Sequence, residues 1–118
     1  GEIMEAYSVA RQYNLTPPTM EQPRYNMIHR DRVEGELTRL YHSIGLGMTT
    51  FSPVSAGMLT GRYNEGIPAN SRLSIERLDF LRERWERLKE NGIVPVIETL
   101  ESIAQKIGAN LPQLAVAW

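Results

Sequence analysis

Apolar residues return every three or four positions in five stretches of the chain, and this spacing predicts five helices. Two short runs of a different kind predict strands: the run 46–51 is apolar and β-branched, and the run 19–22 is stopped by Pro23. The predicted helices cover residues 2–13, 31–45, 71–91 or 74–91, 95–108 and a stretch after residue 110, and the predicted strands cover residues 19–22 and 46–51. The order helix, strand, helix, strand with short connections is typical of the βα units of a parallel sheet.

Residues with special roles at helix ends support several of these boundaries. Asp31 and Asn110 are each followed three residues later by Glu or Gln, the spacing of a capping box. Asn14, Gly45 and Gly108 can adopt the left-handed conformation that ends a helix. In the fourth helix we expect one inward face, formed by Ile97, Leu100, Ile103, Ala104 and Ile107.

The number of predicted strands is small for an α/β protein. A sheet of two parallel strands leaves both faces and both edges in need of cover. The first helix has no capping residue before Glu2, and the last helical pattern continues to Trp118. We therefore expect the chain to be an internal piece of a longer protein.

Composition narrows the possible functions. The 118 residues include 42% hydrophobic and 23% charged residues, as in folded globular proteins. With 13 basic and 14 acidic residues, the net charge of −1 argues against a nucleic-acid-binding or lipid-coating protein. The absence of cysteine excludes disulfides and thiolate metal sites. No apolar run approaches the ~20 residues of a membrane span, so we expect no direct membrane insertion.

The stretch 47–63 carries the candidate chemistry. An apolar run ends there at Phe51, Ser52 and Pro53, and small residues continue to a basic side chain at Arg62. An aromatic face, a hydroxyl, accessible backbone donors and a cation together suit a nucleotide with a ring at one end and phosphates at the other. The simpler interpretation is a strand that ends in a proline-containing turn, and this stretch alone leaves both open.

The sequence resembles the aldo-keto reductases along its whole length. The Ser52-Pro53 turn and the final run 111–118 are shared by many members, whereas residues 2–12 are more specific to one branch, the β subunits of voltage-gated potassium channels. The residues that carry the resemblance are EIMEAYSVARQ at 2–12, Glu21-Gln22, Tyr25, Leu40-Tyr41-His42, Ser52-Pro53, Gly57, Gly61-Arg62-Tyr63, Gly66, Ser71-Arg72 and LPQLAVAW at 111–118.

This resemblance implies an α/β fold, a (β/α)8 TIM barrel, to which the chain would contribute about strands six and seven with their flanking helices. Residues 1–118 would then be a fragment of a single barrel domain. Ligands of such barrels lie at the C-terminal ends of the strands, where both predicted strands carry candidate residues.

The resemblance also implies a cofactor, NADPH or NADP+. Gln22 would bind the nicotinamide carboxamide, and Phe51, in place of a Trp of the channel subunits, would stack on the nicotinamide ring. The pyrophosphate would be lined by Ser52, Pro53, Val54, Ser55 and Ala56. The remaining predicted contacts are Arg62, which replaces a Lys, and Asn70 and Arg72 near the adenosine half. Each has an ordinary alternative: Gln22 as a strand cap, Phe51 as core filling and the arginines as surface cations.

No catalytic residue and no metal ligand are assigned. The family's proton donor is a Tyr, supported by a Lys and an Asp, on earlier strands. The motif of that donor surrounds none of the tyrosines of this chain, which are Tyr7, Tyr13, Tyr25, Tyr41 and Tyr63. We therefore expect the full-length protein to be an NADPH-dependent oxidoreductase and this chain to be inactive alone.

Three functions follow as hypotheses. The first is a cytoplasmic β subunit that binds the cytoplasmic side of a Shaker-type potassium channel α subunit as a homotetramer, peripheral to the membrane, and regulates the channel with slow carbonyl reduction. The second is a stand-alone NADPH-dependent reductase of aldehydes or ketones. The third is a helical interaction module without a ligand.

Overall fold

A computed structural model describes residues 1–118. The chain divides into two compact units, Gly1–Phe51 and Ser52–Trp118. None of its helices combines the length and apolar composition needed to cross a membrane.

The first unit combines helices with a two-stranded parallel sheet. The pair is short because Pro23 has no backbone N–H and interrupts the hydrogen bonds, although Phe51 N still donates to the Pro23 carbonyl at 3.1 Å. The predicted strands 19–22 and 46–51 are therefore confirmed in place and order, but not in length. The elements are α1 (Glu2–Gln12), β1 (Met20–Glu21), a π-helical turn (Arg32–Glu36), α2 (Thr38–Ile44) and β2 (Gly47–Met48).

The helix predicted at residues 31–45 begins differently. Asp31 is itself helical, with φ −54° and ψ −43°, and its side chain caps nothing, so the predicted Asp31–Glu34 capping box is wrong. The Glu34 carboxylate binds Arg30 and Tyr25 instead. The predicted stop at Gly45 is confirmed, because this residue is left-handed with φ 65°.

The second unit is helical. Its elements are 3₁₀ turns at Ser55–Thr60, Arg72–Ser74 and Glu76–Leu78, followed by α3 (Asp79–Glu90), α4 (Ile93–Lys106) and α5 (Leu111–Ala117). The third helix thus begins later than predicted, because Ser71 and Ser74 cap only one 3₁₀ turn and Ile75 is extended. The fourth begins at Ile93, which places Pro95 in the first turn, where no N–H is needed.

The core of the second unit is formed around Trp85. This side chain is fully buried, and its ring lies 6.0 Å from that of Tyr63, at an interplanar angle of 58°. Ile97 and Ala104 of α4 are also fully buried, as predicted. The rest of the predicted inward face of α4 is not in the core: Leu100 is half-buried, and Ile103 and Ile107 are exposed.

Candidate functional site

One face of the parallel strand pair holds both predicted cofactor contacts of the first unit. Met20 pairs with Gly47, and the bridge between Arg24 and Phe51 keeps the same offset. This offset also places Gln22 opposite Thr49. Since side chains alternate along a strand and paired residues share a face, one face holds Met20, Gln22, Arg24, Thr49 and Phe51. We call these five residues the open face.

The opposite face of the strands is covered by the helical side of the unit. Pro23 is buried there, and Tyr41 Oη of α2 donates to Met48 Sδ at 3.5 Å. The Arg32 guanidinium of the π-helical turn lies 3.0 Å from the Glu21 carboxylate. This face packs in part against α2 and the turn, although Met48 stays 40% exposed, whereas four of the five residues of the open face are exposed.

Gln22 and Phe51 stand at the C-terminal end of the open face. Gln22 is exposed, and its side-chain amide offers one donor group and one acceptor. Phe51 is 50% exposed, so it does not fill the core. A planar amide beside an accessible aromatic ring is an arrangement that can hold a flat heterocycle with a carboxamide substituent.

The bend after Phe51 is backbone-strained. Ser52, Ser55 and Ala56 all have positive φ, at 62°, 50° and 57°. Such conformations cost about 1–3 kcal/mol each in residues other than glycine, and they cluster at functional sites. The bend opens the second unit and contains all five predicted pyrophosphate residues.

Two backbone hydrogen bonds close the bend. Ser55 N and Gly57 N donate to the carbonyls of Ser52 and Val54, at 2.9 and 3.0 Å. The Ser55 side chain points inward, with its Oγ 3.8 Å from Met58 Sδ. Successive residues of right- and left-handed conformation form a concave set of amides that can bind an anion.

The other predicted contacts lie on the surface of the second unit. Arg62 follows the left-handed Gly61, and Asn70 and Arg72 flank Ser71 at the capped 3₁₀ turn. All three predicted side chains are exposed and accessible to a phosphate. The strand register thus places Gln22 and Phe51 on one face of the sheet in the first unit, whereas Arg62, Asn70 and Arg72 belong to the second unit.

Two features of the first unit were missed by the sequence reasoning. Arg24 lies on the open face, and burial lowers the pKa of its guanidinium. The Glu34 carboxylate accepts hydrogen bonds from Arg30 Nε and Nη2, at 2.8 and 2.7 Å, and from Tyr25 Oη at 2.8 Å. The position of Arg24 could have been predicted from its spacing, because it lies two residues after Gln22 on the same strand. The partners of Glu34 were not predicted, because this residue was assigned to a capping box with Asp31.

The Glu34 cluster fixes the loop that follows β1. Its contacts join residues from both ends of the segment 25–34, and Asn26, almost fully buried, pairs with His29 inside that segment. The hydrogen bonds from Arg30 and Tyr25 lower the pKa of Glu34, and the bond from Arg30 has the larger effect. No group of three or more His, Asp or Glu side chains has the arrangement of a metal site.

Comparison with known protein families gives a match that includes the residues described above. The model of the aldo/keto reductase family matches residues 2–118, which include both strands, the bend and all three helices of the second unit.

Proposed function

Because the chain belongs to the aldo/keto reductase family, whose members typically bind NAD(P)H, we propose that it carries the nicotinamide and pyrophosphate contacts of an NADPH site. The observation that carries this proposal is the strand register. It places the amide of Gln22 and the ring of Phe51 on the same face, at the same end of neighbouring parallel strands.

The residues of the chain have distinct tasks in this proposal. Gln22 pairs its amide with the nicotinamide carboxamide, and Phe51 covers one face of the ring, so that the other face points to the substrate. The bound dinucleotide supplies the hydride. Ser52, Pro53, Val54, Ser55 and Ala56 line the pyrophosphate, and Arg62, Asn70 and Arg72 bind the adenosine half and its phosphate.

We extend this proposal to the fold of the whole domain. A mixed structure with one parallel strand pair and an intervening helix is a repeat unit of a (β/α)8 barrel. In such a barrel the chain contributes about strands six and seven, as part of one domain, and the remaining strands cover the edges of the pair. The open face then points to the interior of the barrel and its C-terminal mouth, where ligands bind.

The physiological role that we propose is that of a potassium channel β subunit. Its support is the resemblance of residues 2–12, which form α1, to that branch. The full-length protein would be cytoplasmic, a homotetramer bound to the cytoplasmic side of a Shaker-type channel, with slow NADPH-dependent carbonyl reduction. In a pull-down, the full-length protein is expected to retain the cytoplasmic tetramerisation domain of the channel. Failure to bind, together with rapid aldehyde reduction, would indicate a stand-alone reductase instead.

Titration of the full-length protein with NADPH, followed calorimetrically, tests the cofactor site. We expect Gln22→Ala and Phe51→Ala each to weaken binding about tenfold, or ~1.4 kcal/mol, since each removes one contact with the nicotinamide. Matched controls are Gln12→Ala at the end of α1 and Phe80→Ala on α3, both exposed residues of the same types. Equal NADPH affinity in the test and control variants would disprove the proposed site.

A further inference from the structure

Arg24 is the cation of the open face. It pairs with Phe51 across the strands and lies two residues beyond Gln22, on the same face. Two residues of a strand span about 6.6 Å, so Arg24 lies further toward the C-terminal rim than Gln22. Its side chain therefore stands beside the aromatic ring rather than beside the amide.

Arg24 differs from the other arginines of this segment in having no counter-charge. Arg30 is paired with Glu34 and Arg32 with Glu21, whereas the Arg24 guanidinium makes no ion pair or hydrogen bond. It is nevertheless half-buried, and burial alone lowers its pKa. A partly desolvated cation without a partner is unfavourable, and an anion bound beside it relieves that cost.

We propose that Arg24 binds the anionic group, a carboxylate or a phosphate, of a carbonyl substrate that lies over the open face. This inference rests on the proposed function, which places the nicotinamide on Gln22 and Phe51 and the pyrophosphate at the bend 52–56. Arg24 pairs with Phe51, where the proposed function places the nicotinamide ring, and because this ring carries no anionic oxygen we assign the anion to the second ligand. The planar guanidinium can bind both oxygens of such a group at once.

The test compares charged and neutral aldehydes as ligands of the full-length protein. The probes are 4-carboxybenzaldehyde against its methyl ester, and glyceraldehyde 3-phosphate against glyceraldehyde, with dissociation constants measured by ligand-observed NMR in the absence of cofactor. We expect at least one charged probe to bind about tenfold more tightly than its neutral partner, as for one charge-assisted hydrogen-bonded pair. The probe pair that shows the preference identifies the anion as carboxylate or phosphate.

Variants assign this preference to one side chain. Arg24→Gln is expected to abolish the preference for the charged probe, and Arg24→Lys to retain part of it. The matched control is Arg39→Gln, which removes the same charge from an exposed position on α2, the helix that covers the opposite face. The control should keep the full preference, and NADPH affinity should be unchanged in all three variants.

Several results would overturn the inference. One is the absence of any charge preference in the wild type, and another is a preference that persists in Arg24→Gln. A loss of NADPH affinity in Arg24→Gln would assign this residue to the cofactor instead. The proposed function fails on a different result, namely NADPH binding that is absent or that does not change in Gln22→Ala and Phe51→Ala. The two failures are distinguishable because the probe measurements contain no cofactor.

Discussion

Ala56 shows how a single residue stores strain in the bend after Phe51. Its φ of 57° is a conformation that costs about 1–2 kcal/mol for a residue with a Cβ, whereas glycine adopts it freely. After the greater chain entropy of glycine is subtracted, we expect Ala56→Gly to raise the free energy of unfolding by about 0.5–1 kcal/mol.

Urea denaturation measures this change. The matched control is Ala69→Gly in the exposed turn before Ser71, where φ is not positive. There the added chain entropy acts alone, and we expect a loss of about 0.4–1 kcal/mol. A loss of stability in both variants would contradict the assignment of strain to Ala56.

Glu34 gives a prediction about pH. The hydrogen bond from Arg30 is the largest cause of its lowered pKa, and the hydrogen bond from Tyr25 is the second. A carboxyl group with a lowered pKa stabilises the fold above its ordinary value of 4.5, and this contribution is lost as the pH falls through the lowered value. Arg30→Gln should therefore raise the pKa of Glu34 more than Tyr25→Phe does.

Carboxyl-detected NMR titration measures the Glu34 pKa directly. Arg39→Gln, which removes an exposed charge from α2, serves as the control and should leave this pKa unchanged. A larger shift in Tyr25→Phe than in Arg30→Gln would show that the phenol, and not the ion pair, holds the carboxylate.

At the scale of the elements, Trp85 is the largest side chain that α3 buries. Trp85 is fully buried against Tyr63, and its indole N–H has no acceptor, so its contribution comes from packing. Trp85→Ala should cost about 3–5 kcal/mol in a chemical denaturation experiment. Phe80 lies on the same helix but is 61% exposed, and Phe80→Ala should change stability by less than ~0.5 kcal/mol. Similar losses in both variants would contradict this view of the core.

The helix ends show which boundaries a sequence can specify. The capping box of α5 is confirmed, with Asn110 and Gln113 joined by two hydrogen bonds of 2.9 Å, because both partners lie in one turn. The same pattern at Asp31 is wrong, because the Glu34 side chain binds Arg30, four residues earlier, and Tyr25, nine residues earlier. Local spacing predicts a cap only where no other group competes for it.

The candidate site, too, could be predicted from the sequence only in part. The resemblance to the family singles out Gln22 and Phe51, and alternation along a strand predicts which residues follow on the same side. The half-buried, unpaired state of Arg24 depends on where every carboxylate of the unit lies, and no local pattern specifies that. The strained bend was likewise invisible, since serine and alanine carry no sequence signal for positive φ.

At the scale of the whole chain, none of the five residues of the open face is a tyrosine. Tyr25 Oη donates to Glu34, Tyr41 Oη to Met48 on the opposite face, and Tyr63 is buried against Trp85. Tyr7 lies within α1 and Tyr13 directly after it. Since carbonyl reduction needs a proton as well as a hydride, we expect the donor to come from a part of the full-length protein outside residues 1–118.

We therefore expect the 118-residue chain to show no NADPH oxidation above background with 4-nitrobenzaldehyde, measured by absorbance at the NADPH band. The full-length protein is the positive control, and addition of the Gln22→Ala change to it should slow turnover at low NADPH concentration by weakening cofactor binding. Aldehyde-dependent oxidation by the chain alone would mean that one of its own groups donates the proton. Replacing each of the five tyrosines by Phe would then identify whether a phenol is that group, because only the donor's removal would abolish the rate.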